Sequence, residues 1–283
     1  MQQIEMIDLN KIEPNQKHDT FSTNEIETND LQKETEVSKV EVRKNNAGSY
    51  EETLGEIASK DLRKAEVFKT FGLDFCCGGK KSLKDACFEK GLDYNLVTSE
   101  LDNAEQKLFK GTNHNFNSWN LSFLSEYIIN VHHDYARQNI PMLINLISKV
   151  QEHHGKIHPE LQQINSKMNM LFIELKEHMI KEENILFPFI KQLELNKTSD
   201  QINFTKFKVL PNTITRLIDD HTVVGDLIKQ IRNLTLNYTL PSTACSSYAL
   251  LYKKLEEFED DLHIHIHLEN NILFPSAIKM QTS

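Results

Sequence analysis

An eleven-residue pattern occurs twice in this chain, as HMIKEENILFP from His178 to Pro188 and as HIHLENNILFP from His265 to Pro275. Each copy reads His, three residues, Glu, two residues, an aliphatic pair, Phe and Pro. A His and a Glu four apart lie one turn apart on the same helix face. An imidazole nitrogen and a carboxylate so placed can both reach one metal ion. Two such helices facing each other bring two His and two Glu into one bundle core, the inward-pointing arrangement of di-iron carboxylate proteins. The matched spacing and matched apolar tails predict a pseudo-two-fold site in an all-α fold.

The rest of the pattern agrees. From Ser118 onward four long helical stretches run roughly through 118–152, 159–195, 210–236 and 242–280. They are separated by HHGKIHP, LNKTSDQINF and LNYTLP. Short connections between long helices imply antiparallel neighbours, hence an up-down four-helix bundle over 118–280. No segment reads as a strand. Residues 51–102 form a small helical unit. Thr53 N-caps a helix from Leu54 to Gly72, with Glu56 completing a capping box. Ser82 caps a second helix that ends near Gly91. The polar stretch 103–117 reads as a linker. Residues 1–50 hold 10 acidic and 6 basic side chains but one Phe. That is too little apolar surface to offset ordering entropy, so a disordered tail is expected.

Helices two and four of the bundle supply His178, Glu182, His265 and Glu269. Helix three has one histidine, His221, flanked by Ile214, Leu217 and Ile218 before it and Val224, Leu227 and Ile228 after it. That spacing points it inward. In helix one, His133 shares a stripe with Ile129, Ala136, Ile140 and Leu143, whereas His132 is rotated by about 100° and is expected at the rim. The expected ligands are therefore His133, His178, Glu182, His221, His265 and Glu269. Four imidazoles terminate two metals and two carboxylates bridge them. Mixed nitrogen and oxygen donors without thiolate suit iron or manganese better than structural zinc. An oxo or hydroxo bridge can supply the remaining negative charge.

Other residues receive lesser roles. Ile185, Leu186, Phe187, Ile272, Leu273 and Phe274 are expected to seal the core. Pro188 and Pro275 are expected to kink or end the regular turn. His263 and His267 point away from the face of His265 and are expected at the surface. Glu174, one turn before His178, is a candidate to support a ligand imidazole, with Tyr127 and Tyr135 weaker ones. His153, His154 and His158 offer room for an adventitious metal in the first interhelical loop.

The net charge is −9, from 32 basic and 41 acidic residues, with no basic cluster. This argues against nucleic acid or an anionic membrane as the main partner. No apolar run approaches the ~18 residues of a transmembrane helix, and the first residues lack an apolar signal region. Four cysteines, two of them neighbours, make no disulfide framework, so a reducing cytoplasm is expected.

Cys76 and Cys77 lie in FGLDFCCGGKKSLKDAC, between two helices. Gly78 and Gly79 free the backbone around the thiols. Lys80, Lys81 and the next helix N-terminus would lower their pKa. Reversible redox chemistry or thiolate exchange is one reading, and a packing element with inert thiols is the other.

In order along the chain, LDFCCGG, HHDYARQNIPML, ELKEHMIKEENILFPFI, DDHTVVGDL and HIHLENNILFP resemble the repair-of-iron-centres family, the iron-sulfur cluster repair di-iron proteins. The resemblance covers about residues 51–280. It implies a hemerythrin-like bundle behind a small double-cysteine domain, and a non-haem di-iron centre whose ligands fall on the six residues already chosen. It puts the family's Cys-Cys motif on Cys76 and Cys77, and it implies for the protein a role in restoring iron-sulfur clusters damaged by nitric oxide or oxidants. Damaged iron-sulfur proteins, nitric oxide and small oxidants are then the partners, and a homodimer is compatible. Oxygen-carrying hemerythrins are richer in His, whereas Glu182 and Glu269 hold both i+4 positions here. More carboxylate favours labile ferric iron, which suits donation or redox chemistry over oxygen carriage. A di-iron nitric oxide or peroxide reductase, and an oxygen or nitric oxide sensor or carrier, are the competing readings.

Overall fold

The computed structural model describes residues 52–106, 114–196 and 210–282. The expected disordered tail, residues 1–50, lies outside the described residues, as do 107–113 of the expected linker. The described residues belong to one compact unit, Asn46–Ser283, and contain no strand.

Four short helices come first: α1 (Leu54–Lys60), α2 (Arg63–Thr70), α3 (Leu83–Lys90) and α4 (Tyr94–Gln106). The capping box forms: the Glu56 N–H donates to the Thr53 hydroxyl, and the Thr53 N–H donates to the Glu56 carboxylate at 2.9 Å. The single helix expected from Leu54 to Gly72 is instead two. At Asp61 the backbone turns extended, with φ −150° and ψ 102°. Its carboxylate accepts the Arg63 N–H at 3.1 Å and pairs with the Arg63 guanidinium at 2.6 Å, so it caps a new helix rather than continuing the old one. Ser82 caps α3 through the Asp85 N–H, and Gly91 ends it in the left-handed region at φ 63°.

Four long helices follow. Helix α5 runs through Leu121–Tyr127, Ile128–His133 and Asp134–His154. Helix α6 runs through Glu160–Lys181, Glu182–Leu186 and Phe187–Asn196. Helix α7 is Leu210–Leu234. Helix α8 runs through Ser246–Leu268, Glu269–Leu273 and Phe274–Thr282. The middle segment of α5, α6 and α8 is a π turn, in which the hydrogen bond spans one residue more than in an α-helix. The Phe187 N–H bonds back to the Glu182 carbonyl, and the Phe274 N–H to the Glu269 carbonyl. Pro188 and Pro275 therefore do not end their helices. The irregular turn lies just before each proline, where an N–H missing from the ladder is accommodated.

Two apolar clusters fill the bundle. One holds Leu143, Ile147, Leu171, Val224, Leu255 and Phe258. The other holds Leu124, Ile128, Leu186, Phe187, Leu217 and Phe274. Each long helix passes from one cluster to the other, and His133, His178, Glu182, His221, His265 and Glu269 lie at the crossing. Leu54, Ile57, Phe68, Phe75 and Cys76 belong to the first cluster, so the short helices share the core of the long ones. Among the described residues no helix is long and apolar enough to cross a membrane.

Candidate metal centre

The two repeats bring their His and Glu residues together. His133, His265, Glu182 and Glu269 offer ligand atoms within 4.8 Å of one another. His178, His221, Glu182 and Glu269 do the same. Both glutamates belong to both groups. Glu182 Oε2 lies 3.4 Å from His133 Nε2 and 3.2 Å from His178 Nε2. Glu269 Oε1 lies 3.1 Å from His265 Nε2, and its Oε2 3.1 Å from His221 Nε2. Each carboxylate thus links one imidazole of each group, and none of the six residues is more than 2% exposed.

The donor set fits a cation. His133 Nδ1 faces the Glu183 carboxylate at 2.6 Å, and His221 Nδ1 faces the Asn270 amide oxygen at 2.8 Å. His178 Nδ1 lies 3.6 Å from Asp220 Oδ2. At His133 and His221 these acceptors place the proton on Nδ1 and turn the Nε2 lone pair inward. Each Nε2 then faces that of another imidazole, His133 to His265 at 3.1 Å and His221 to His178 at 2.9 Å. Both Glu182 oxygens and Glu269 Oε2 are buried without a hydrogen-bond donor. Buried anions and converging lone pairs are costly unless a cation offsets them. Four imidazoles and two carboxylates without thiolate suit iron or manganese.

The electrostatics agree. Burial pushes Glu182 and Glu269 upward, yet the surrounding imidazoles hold both below the usual carboxylate range. Burial lowers His178, but Glu182 and Asp220 carry it up to about 10. A metal at Nε2 must displace that proton, so affinity falls steadily as pH drops below about 10, through the neutral range.

Several expectations about neighbouring residues change. His132 is buried, not at the rim: the π turn Ile128–His133 brings adjacent histidines inside together. His132 Nδ1 pairs with Asp261 at 2.9 Å, and its ring stacks on that of His265 at 5.7 Å. His267 is also buried, because the double-cysteine loop covers that face of α8. Its ring packs on Phe75 at 5.5 Å, and Asn271 donates to its Nδ1 at 3.0 Å. His263 is half-buried beside it. Glu174 is exposed, and Ile185 points outward, while the other five residues of the apolar tails are buried. Tyr127 packs its ring near His132, whereas Tyr135 stacks on Phe258. His154 contacts Cys245 and His158 contacts Thr243, and with His153 they gather no metal-binding group among the described residues.

The supporting groups lie beside the ligands in sequence, not one turn away. Glu183 and Asn270 occupy the same position in the two repeats, directly after the shared glutamate, and each holds a histidine of a neighbouring helix. Their equivalence was legible in the repeat, but their role was not, since an α-helix would rotate them about 100° off the site. Asn270→Ala leaves His221 Nδ1 without its acceptor. We expect iron affinity, measured by chelator competition, to fall about 10–100-fold with helix content unchanged. Asn270→Asp keeps the acceptor and should recover most of the loss.

The double-cysteine loop reaches this same layer. Asn270 Nδ2 donates to the Cys76 carbonyl at 3.4 Å while its Oδ1 holds His221. Asn271 Nδ2 donates to the Phe75 carbonyl at 3.1 Å. The Cys77 thiol donates to the His221 carbonyl at 3.5 Å and fills the space that a side chain at Gly225 would need. The expected drop in thiol pKa does not occur at Cys76. The hydrogen bond that the Cys76 thiol donates to Cys77, burial and nearby Asp74 push it well up, and Lys81 is paired with Glu89 instead.

Known sequences match most of this chain. Residues 50–105 match a family described as a domain of unknown function, DUF542, and residues 125–277 match the hemerythrin HHE cation binding domain. The iron-sulfur cluster repair protein YtfE of Escherichia coli O81 (strain ED1a) is 34% identical over 229 residues, covering 81% of this chain and 97% of that protein. The chain belongs to the iron-sulfur cluster repair family. The YtfE protein of Escherichia fergusonii shows the same identity and the same coverage. Family membership accounts for the pairing of a double-cysteine segment with a hemerythrin-type bundle, and both halves of the pair are present here.

Proposed function

We propose that this chain restores iron-sulfur clusters damaged by nitrosative or oxidative stress, using a non-haem di-iron centre held by His133, His178, Glu182, His221, His265 and Glu269. The carrying observation is that Glu182 and Glu269 each belong to both buried donor groups. The cofactor of this reading is two iron ions with an oxo or hydroxo bridge. When bound, the pair supplies one-electron redox chemistry toward nitric oxide or small oxidants and a source of labile iron. Glu183 and Asn270 hold the imidazoles of His133 and His221 with their Nε2 atoms turned inward. The apolar clusters above and below exclude bulk water from the layer. Membership of the repair family supports damaged iron-sulfur proteins as clients, and the cytoplasm as the place of work. Residues 51–102 then carry the dithiol function and residues 118–280 the metal pair.

Metal analysis with Mössbauer spectroscopy tests the centre. Two magnetically coupled iron atoms per chain are expected. Protein carrying a single zinc, with iron unable to reconstitute it, would overturn the reading.

The dithiol is tested separately. Cys76→Ser with Cys77→Ser should leave iron content intact and reduce repair of a nitric-oxide-damaged cluster several-fold. Undiminished repair would make the thiols a packing element. Loss of iron would place them among the ligands.

A further inference from the structure

Asp74, Cys76 and Cys77 form a third convergent donor group, sharing no residue with the two in the bundle. We infer that they make a second metal site, which takes one divalent cation of borderline softness through two thiolates and a carboxylate oxygen. The two sulfurs lie 4.0 Å apart. That is far beyond the ~2.05 Å of a disulfide. It is close to the ~3.8 Å separating two sulfurs that each sit about 2.3 Å from one tetrahedral cation. Asp74 Oδ1 lies 3.3 Å from Cys76 Sγ, again near the roughly 3.5 Å of an oxygen and a sulfur on a shared cation.

The group is held in place from both sides. Asp74 Oδ1 accepts the backbone N–H groups of Cys76 at 3.2 Å and Cys77 at 3.0 Å, which fixes the carboxylate over the thiols. Asn270 and Asn271 hold the carbonyls of Cys76 and Phe75. Entry is open on the Asp74 side: Asp74 is exposed, Cys77 half-buried and Cys76 buried. As the metal–sulfur bonds form, each thiol proton passes to solvent and no electron is transferred. The inner wall is the turn of α7 that carries His221, so this cation would sit beside the bundle centre without sharing its ligands. The inference goes beyond the repair reading and does not depend on it.

Iron-loaded, full-length protein kept reduced with a phosphine and titrated with Co(II) tests it. One Co(II) per chain should bind with a sulfur-to-cobalt charge-transfer absorption. A site of His and Glu alone cannot produce that band, so failure here is distinct from failure of the di-iron reading. Asp74→Asn should weaken Co(II) binding roughly tenfold or more, and Cys77→Ser should remove most of the band. Circular dichroism checks that both variants fold. No charge-transfer band in the wild type at saturating Co(II) would overturn the site. So would a band that survives Cys77→Ser, since it would then belong to Cys245 beside His154.

Discussion

Glu269→Ala is expected to lose nearly all bound iron, whereas His265→Ala should mainly disturb one of the two metal positions. Glu269 touches His265 and His221 and so serves both donor groups, while His265 serves one. Partners outside the coordination sphere already change metal affinity about 10–100-fold, so a shared anionic donor should exceed that range. Glu182→Ala should behave like Glu269→Ala, because Glu182 joins His133 and His178 in the same way. Iron per chain and the Mössbauer signature of each variant read this out, with circular dichroism as the fold control. Full iron content in Glu269→Ala would sink the bridging assignment. Equal loss in Glu269→Ala and His263→Ala would sink the alignment of the repeats.

His267→Ala is expected to cost substantial stability without removing a metal ligand. The ring is fully buried, packs on Phe75 and accepts from Asn271, which itself anchors the double-cysteine loop. Removing it leaves a cavity and takes one acceptor from the Asn271 amide, which keeps its bond to the Phe75 carbonyl, about 2–4 kcal/mol together. His263→Ala, at a half-buried position, should cost less. The two variants are compared by urea denaturation of metal-free protein. Burial also lowers the His267 pKa from 6.5 to about 4, with the Phe75 backbone opposing it. The unfolded chain therefore binds a proton between those values that the folded chain refuses. Stability from the neutral ring is complete above about pH 6.5 and is lost as pH falls toward 4. The difference is worth about 3 kcal/mol, so the deficit of His267→Ala should shrink between about pH 7 and about pH 4.5. A deficit unchanged by pH would mean that the imidazole protonates freely in the folded protein.

His267 also shows where reading the sequence stops. Helical phase places it on a different face from His265, and that much holds. The same phase cannot say that Phe75, nearly two hundred residues away, covers the other face. His132 fails for a second reason. Its expected position assumed a uniform 3.6-residue turn, and the π turn at Ile128–His133 changes the rotation locally. Glu183, Asn270 and Asp220 escaped notice for related reasons, since their value depends on which neighbouring helix each one meets.

The sequence by itself determined the four long helices, their order, the up-down bundle and the six residues that converge on its centre. Those follow from periodicity and from the spacing within the two repeats, which are local properties of a helix face. Only the tertiary structure decided that both glutamates reach both groups of histidines, that two π turns place Glu183 and Asn270 beside their imidazoles, and that the double-cysteine loop docks on α7 and α8 through Asn270, Asn271 and Gly225. These outcomes depend on how helices distant in sequence rotate and approach one another, and packing sets that after each helix has already chosen its faces.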